Sequence, residues 1–169
     1  MLARKQVARG FTLVEILIVV VILGILAAIV IPQFTSASES AKSSSLVSQL
    51  QTLRSQLELY QIQHNGDYPT LANLQQDLDA DGVQDWTALT TETEVDGSAG
   101  DASGNEFGPY LQQPPTNSFE MSASVVAPGA PAATVGWTYN ENTGEIKAVM
   151  ATAKATELQM DTTNNVEVY

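Results

Sequence analysis

The chain lacks cysteine and is poor in basic side chains. Its 169 residues include one histidine and seven lysine or arginine residues against 19 aspartate or glutamate residues. Without cysteine, disulfides cannot stabilise the fold, so stability must come from packing, oligomerisation or a metal. Nucleic-acid binding needs lysine and arginine to neutralise phosphates, and the net charge here is −12. We therefore expect no nucleic-acid partner.

Motifs for catalysis are missing as well. No glycine-rich phosphate loop follows a predicted strand. The single histidine, His64, has no cysteine or acid partner at a motif spacing, and nothing in the sequence activates a serine as a nucleophile. We predict that the protein is not an enzyme.

The chain does contain a long apolar run with one acid at its entrance. Residues 16–31 carry no charged side chain, and Glu15 directly precedes them. Residues 11–31 approach the ~20 residues that span a bilayer. An ionised side chain at bilayer depth costs at least ~2.5 kcal/mol on insertion scales, so Glu15 indicates a function rather than an accident.

Two simpler interpretations of this run explain fewer of its features. A secretory signal has an apolar core of roughly 7 to 15 residues followed by an Ala-x-Ala-like cleavage site, whereas this run continues unbroken to Pro32. A plain membrane anchor fits the length. It leaves both Glu15 and the Gly10–Phe11 junction without an explanation.

Cleavage after Gly10 would supply a partner for the acid. It would free an α-amino group on Phe11 one helical turn from Glu15, on the same face of the helix. Loss of residues 1–10 would also leave four basic against 19 acidic side chains, a net charge of −15.

The order of these residues is specific. Gly10-Phe-Thr-Leu-Val-Glu15, an apolar run and Pro32 resemble the processing and assembly segment of type IV pilins and type II secretion pseudopilins. The resemblance implies that a prepilin peptidase cleaves after Gly10 and methylates Phe11. It also implies that Glu15 pairs with the N-terminus of a neighbouring subunit in a filament.

The pattern beyond the apolar run predicts that the helix continues into a globular head. Pro32 removes a helical hydrogen bond and predicts a kink, and an apolar stripe at helical period begins at Leu46 and ends at Tyr60. Asn65-Gly66 predicts the end of the helix. We expect three parts: a cleaved leader at 1–10, a long helix at 11–65 with 11–31 in the membrane or filament core, and a head at 66–169.

The head reads as a small α+β domain. Residues 134–139 and 145–150 predict a hairpin around the turn 140–144, and residues 119–126 predict a third strand. A short helix is expected from Thr70 to about Leu78. The order of Gly-Pro-Tyr-Leu, proline and Trp-x-Tyr motifs is more loosely similar to the heads of major pseudopilins. We therefore expect a pilin fold, with the long helix packed on a small antiparallel sheet.

An acidic loop is the only candidate metal site in the sequence. Its carboxylates alternate around Gly82 as in the first positions of an EF-hand loop, but position twelve is Ala88 instead of a bidentate glutamate. Glu92, Glu94 or Asp96 could supply the missing ligand. The alternative is a solvated acidic loop that binds no metal. The proposed calcium ligands are Asp77, Asp79, Asp81 and Asp85.

Together these features predict a structural filament subunit. We expect a single-pass protein of the bacterial inner membrane that joins a periplasmic pseudopilus or a cell-surface pilus. The resemblance implies three kinds of partner: prepilin peptidase, other copies and related pilins, and the inner-membrane assembly machinery. A minor or adhesive pilin is one alternative. The other is an anchored calcium-binding module that never polymerises.

Overall fold

A computed structural model describes residues 10–78, 80–98, 100 and 106–169. The chain divides into two compact units, Met1–Glu39 and Ser40–Tyr169. One helix, α1 (Leu13–Gln63), begins in the first unit and ends in the second.

In the first unit, the side chains of the apolar run are exposed. Every residue from 10 to 38 is exposed in the single chain. By length and composition, α1 contains a stretch that is apolar enough to cross a membrane. Apolar side chains that find no cover within their own chain need another apolar environment, such as a lipid bilayer or other helices.

In the second unit, α1 supplies one wall of the core. The residues of the predicted stripe are all buried, which confirms the helical spacing: Leu46, Leu50, Leu53, Leu57 and Tyr60. After the helix ends at Gln63, Asn65 takes a φ of 56°, and the amide of Gly66 donates to the carbonyl of Gln61 at 2.9 Å. This bond back across the last turn closes the helix as the sequence predicts.

The head contains a four-stranded sheet in the order β1-β2-β3-β4. Strands β2 (Trp137–Asn140) and β3 (Glu145–Met150) form the predicted antiparallel hairpin. Strands β1 (Val125–Val126) and β4 (Val166–Val168) pair in parallel with β2 and β3. The α+β class with a long helix on a small sheet is confirmed, but the sheet is mixed where the sequence predicted antiparallel pairing.

The parallel pairing of both edge strands arises from the connections that link them to the central hairpin. Helix α4 (Thr152–Glu157) lies between β3 and β4 and carries the chain back, so that β4 runs in the same direction as β3, with Val166 beside Ala148. A long connection does the same between β1 and β2. The predicted strand at 119–126 is reduced to two residues because Met121 adopts a φ of 52° in a turn closed by the Asn117–Ser122 bridge.

Two further short helices, α2 (Leu71–Leu74) and α3 (Thr87–Thr90), lie in the described part of the head. The helix predicted from Thr70 to about Leu78 starts with Thr70 as its N-cap but ends early, and Leu78 is exposed. The carboxylate of Asp77 accepts hydrogen bonds from the amides of Asp81 and Gly82, at 3.2 and 2.9 Å. Such side-chain bonds to local backbone compete with helix continuation.

The core joins α1 to the sheet through aromatic side chains. Trp137 and Tyr139 are buried, as predicted, and their polar atoms donate to the carbonyls of Pro115 and Pro69. The indole of Trp86 meets that of Trp137 edge to face, with 6.5 Å between ring centroids. These hydrogen bonds offset the cost of removing the polar atoms of the large side chains from water.

Candidate functional site in the N-terminal segment

The candidate processing junction is accessible. Gly10 and Phe11 are both exposed, the latter with 80% of its surface free. A methyl group added at Gly10 would meet nothing within 4 Å. A larger residue at this position is therefore compatible with the chain's own structure, and any requirement for glycine would come from an enzyme that cuts there.

Glu15 lies in the first turn of α1 and forms a reciprocal bond pair with Thr12. The Thr12 amide donates to Oε2 of Glu15 at 3.3 Å, and the Glu15 amide donates to Oγ1 of Thr12 at 3.2 Å. This is a capping box, in which two orphan amides at the helix start are satisfied together. The capping box is not among the sequence predictions, although its signal, the Thr-x-x-Glu spacing, directly precedes the apolar run.

The capping box gives Glu15 a local role besides the predicted one in assembly. A carboxylate at a helix N-terminus is also favoured by the helix dipole. Both effects hold the acid at the start of the helix, close in sequence to Phe11. The two roles are compatible, since a carboxylate has about four lone-pair sites and the cap uses only part of them.

Pro32 lies inside α1, which continues through it. Near it, the hydroxyl of Thr35 donates to the carbonyl of Ile31 at 3.2 Å. Hydroxyl bonds of this kind are associated with bent helices. The kink at Pro32 stays a prediction.

The acidic loop uses its carboxylates on its own backbone. Besides the two amides that Asp77 accepts, Asp81 accepts from Val83 at 2.7 Å and Asp85 accepts from Leu78 at 2.6 Å. The predicted ligand Asp79 lies outside the described residues. Among the residues that the structure does describe, no three acidic or histidine side chains are grouped as metal ligands. Calcium binding here stays a prediction.

His64 has a more definite role than its sequence indicated. It is 1% exposed, and its Nδ1 and Nε2 lie 2.8 Å from the Tyr60 carbonyl and 2.9 Å from Oγ1 of Thr93. Because a carbonyl can only accept, Nδ1 carries a proton and donates to it, while Nε2 shares a hydrogen bond with the threonine hydroxyl. The partner is 29 residues away, so no local spacing could have revealed it.

Comparison with known proteins finds one matching family, on the N-terminal segment, and several relatives. The family described as Prokaryotic N-terminal methylation motif matches residues 5–31. The type II secretion system core protein G of Dickeya chrysanthemi is 47% identical over 67 residues, covering 40% of this chain and 42% of that protein. The proteins of the same name from Klebsiella michiganensis and Pseudomonas aeruginosa are 43% identical over 67 residues and 44% identical over 77 residues.

These matches are partial. They cover 40% of this chain and 46% of the Klebsiella protein, and 46% of this chain and 51% of the Pseudomonas protein, so the chain spans about half the length of these curated relatives. No solved structure matches. The chain therefore carries a prokaryotic N-terminal methylation motif at residues 5–31 and is similar, over 40–46% of its length, to type II secretion system core proteins G.

Proposed function

We propose that the protein is a structural subunit of a type II secretion pseudopilus. The observation that carries this proposal is the uncovered apolar segment of α1. It runs from Leu13 through residue 31, has a single acid in its first turn, and coincides with the matched methylation motif. A segment of this kind can be covered first by lipid and later by the helices of other subunits, which is what a polymerising subunit requires.

In this proposal, a prepilin peptidase cleaves between Gly10 and Phe11 and methylates the new N-terminus. The subunit then waits in the bacterial inner membrane with its acidic head in the periplasm. The inner-membrane assembly machinery moves it into a filament with other copies and related pilins. The relatives' name, type II secretion system core protein G, favours a pseudopilus over a surface pilus.

Glu15 acts in this proposal as the group that sets axial register. The freed amine of Phe11, on its own or an adjacent subunit, is the natural counter-charge, since no basic side chain lies between Arg9 and Lys42. In an apolar bundle the desolvation cost offsets much of the attraction between such a pair. The pair therefore defines position more than it adds stability.

A reconstitution experiment tests the function. The full chain is expressed in a bacterium that has the type II assembly machinery but lacks its own core protein G, and filaments are recovered by shearing. We expect cleaved protein in the sheared fraction, and none there from a matched strain that lacks the prepilin peptidase. Cleaved protein that stays wholly in the membrane would support an anchored module. Filaments in which it is scarce would support a minor pilin.

A further inference from the structure

A polar cavity of about 450 Å³ lies in the head where α1 ends. Three of its lining side chains are acidic: Asp67, Asp96 and Glu141. Among the residues that the structure describes, no lysine or arginine lines the cavity. His64 also borders it, but both ring nitrogens are already bonded within the fold. The lining therefore has a surplus of negative charge.

Tyr60 aims an unused hydroxyl into this cavity. The residue is 2% exposed, and its ring stacks on that of His64. A methyl group added at Gly97, another lining residue, would lie 2.8 Å from the Tyr60 hydroxyl oxygen. No residue in the described ranges forms a hydrogen bond with that oxygen. No buried polar side-chain atom in the described ranges lacks a partner, so this unbonded hydroxyl keeps some access to the cavity, where its oxygen can accept from a donor.

The electrostatics around this hydroxyl favour a cation. Burial, followed by the charges of Asp96 and Asp67, raises the pKa of Tyr60, so the phenol stays neutral. Ser98 donates to Asp96 through its hydroxyl and its amide, and these bonds lower the pKa of that carboxyl. A cavity that combines the Asp96 carboxylate with a neutral hydroxyl suits a positively charged hydrogen-bond donor.

The shape of the lining favours an ammonium group over a metal ion. Within the described part of the chain, no three carboxylate or histidine side chains come close enough together to share a metal. The acids surround a space of several hundred Å³ instead. A lysine side chain has a long apolar stem and three donors at its tip, which can reach the hydroxyl and the carboxylates together.

Four basic residues follow the proposed cleavage site, and their contacts limit which of them has an ammonium group available. Lys147 pairs with Glu145 at 3.1 Å, and Lys154 pairs with Glu157 at 2.9 Å. Arg54 donates to the carbonyl of Ile146 at 3.1 Å and to other groups. Lys42 is exposed, and it has no ion pair or hydrogen bond to any described residue.

We propose that the cavity lined by Tyr60, Asp67 and Asp96 binds the Lys42 ammonium of a second copy of this chain. The two positions are 18 residues apart on α1, which is roughly 27 Å at 1.5 Å per residue. A neighbouring copy displaced by that distance along the helix axis brings its Lys42 level with the cavity. The contact neutralises part of the repulsion between heads that carry few basic groups. This inference rests on the proposed polymerisation.

Site-specific cross-linking tests the contact, because the chain has no cysteine of its own. Lys42→Cys and Asp67→Cys are combined in one full-length chain, assembled, and treated with a short bis-maleimide. A disulfide is unsuitable, since its Cα atoms must lie within ~7 Å. We expect a ladder of linked subunits from the pair and none from either single variant. Lys154→Cys with Asp67→Cys is the matched control.

Filaments of the paired variant that give no ladder would overturn this inference while the proposed function stands. Failure of the unmodified chain to form filaments would remove the proposed function, and this inference with it. Either result is read directly from the same sheared fractions.

Charge reversal provides a second measurement that does not depend on cysteine variants assembling. We expect a loss of filament yield from Lys42→Glu and its recovery when Asp67→Lys is added. Normal yield from Lys42→Glu, with a loss from Asp67→Lys alone, would assign the cavity to another basic partner and overturn the role of Lys42.

Discussion

The rings of Tyr60 and His64 lie parallel, with 3.6 Å between their centroids and 3° between their planes. The same histidine bonds the carbonyl of Tyr60 on one side and the hydroxyl of Thr93 on the other. Stacked aromatic pairs contribute about 0.5–1.5 kcal/mol beyond their burial. The pair thus fixes the last turn of α1 to a distant loop of the head.

Thr93→Val is expected to destabilise the head. Valine has almost the shape of threonine but lacks the hydroxyl, so Nε2 of buried His64 loses its partner. Leaving such a group unsatisfied costs about 1–3 kcal/mol. Urea unfolding of the full chain in detergent measures the change. Thr163→Val, at an exposed position, is the control, and equal stability of both variants would show that the bond contributes nothing.

The elements that could be predicted are those whose residues lie within one short segment of the sequence. The leucine stripe from Leu46 to Leu57 and the hairpin around 140–144 were predictable, because their spacing and turn residues lie within one segment. The parallel partners of the hairpin were not. The alternation of residues along a strand indicates which face is buried, but it does not indicate which strand will pair with it. In addition, β4 is only three residues long.

The candidate sites also divide into those whose residues are contiguous in the sequence and those whose residues are not. Gly10, Phe11 and Glu15 stand in a contiguous motif, so they could be proposed from the sequence. The cavity at Tyr60 brings together residues from α1 and from loops near positions 96 and 141, and no pattern along the chain links them. Tyr60 itself reads as one more residue of the apolar stripe. Its free hydroxyl is visible only in three dimensions.

Gly10→Val is expected to block processing without disturbing the fold. The position is open in the protein's own structure, so the loss would arise in a peptidase site shaped around glycine. Intact-protein mass spectrometry after co-expression with prepilin peptidase measures it. The unmodified chain should begin at methylated Phe11. Cleavage of the unmodified chain at another bond would contradict the assignment.

Acid is expected to weaken the turn at Asp161. The side chain of Asn164, followed by the amides of Asn164 and Thr163, donates to this carboxylate and lowers its pKa. A lowered folded-state pKa contributes stability above the ordinary value of 3.8, and this contribution is lost as the pH falls through the folded value. The measurement is the free energy of unfolding between about pH 6 and about pH 2, a range that includes the reference pKa of aspartate. We expect this free energy to fall toward the acid end.

Asp161→Asn supplies the comparison. An amide oxygen still accepts from the backbone but does not titrate in this range. The variant should therefore show a smaller decline with acid than the unmodified chain. Identical declines would mean that other carboxylates account for the acid sensitivity.

Calcium is expected to raise the melting temperature through Asp77, Asp79, Asp81 and Asp85. A ligand that binds only the folded state stabilises it by roughly 2.7 kcal/mol at a hundredfold excess over Kd. The full chain in detergent is melted with calcium and with chelator. Asp79→Ala combined with Asp81→Ala should remove the difference, and Glu58→Ala should keep it. No difference in the unmodified chain would leave the loop merely acidic.

Glu15→Gln is expected to separate the two roles of this residue. Glutamine also serves in a capping box, so the bonds with Thr12 can persist while the charge is lost. If pairing with the amine of Phe11 sets the register of the filament, Glu15→Gln and Glu15→Ala should both be inserted and cleaved yet enter filaments poorly. Filament yield in sheared fractions, relative to the cleaved protein in the membrane, measures this.

Thr12→Ala is the matched control, because it removes the capping hydroxyl and retains the carboxylate. Losing a cap costs about 0.5–2 kcal/mol of helix stability, but the acid stays available to the amine. This variant should therefore assemble far better than either change at Glu15. The opposite order, with Glu15→Gln assembling normally and Thr12→Ala failing, would show that Glu15 acts by starting the helix rather than by pairing its charge.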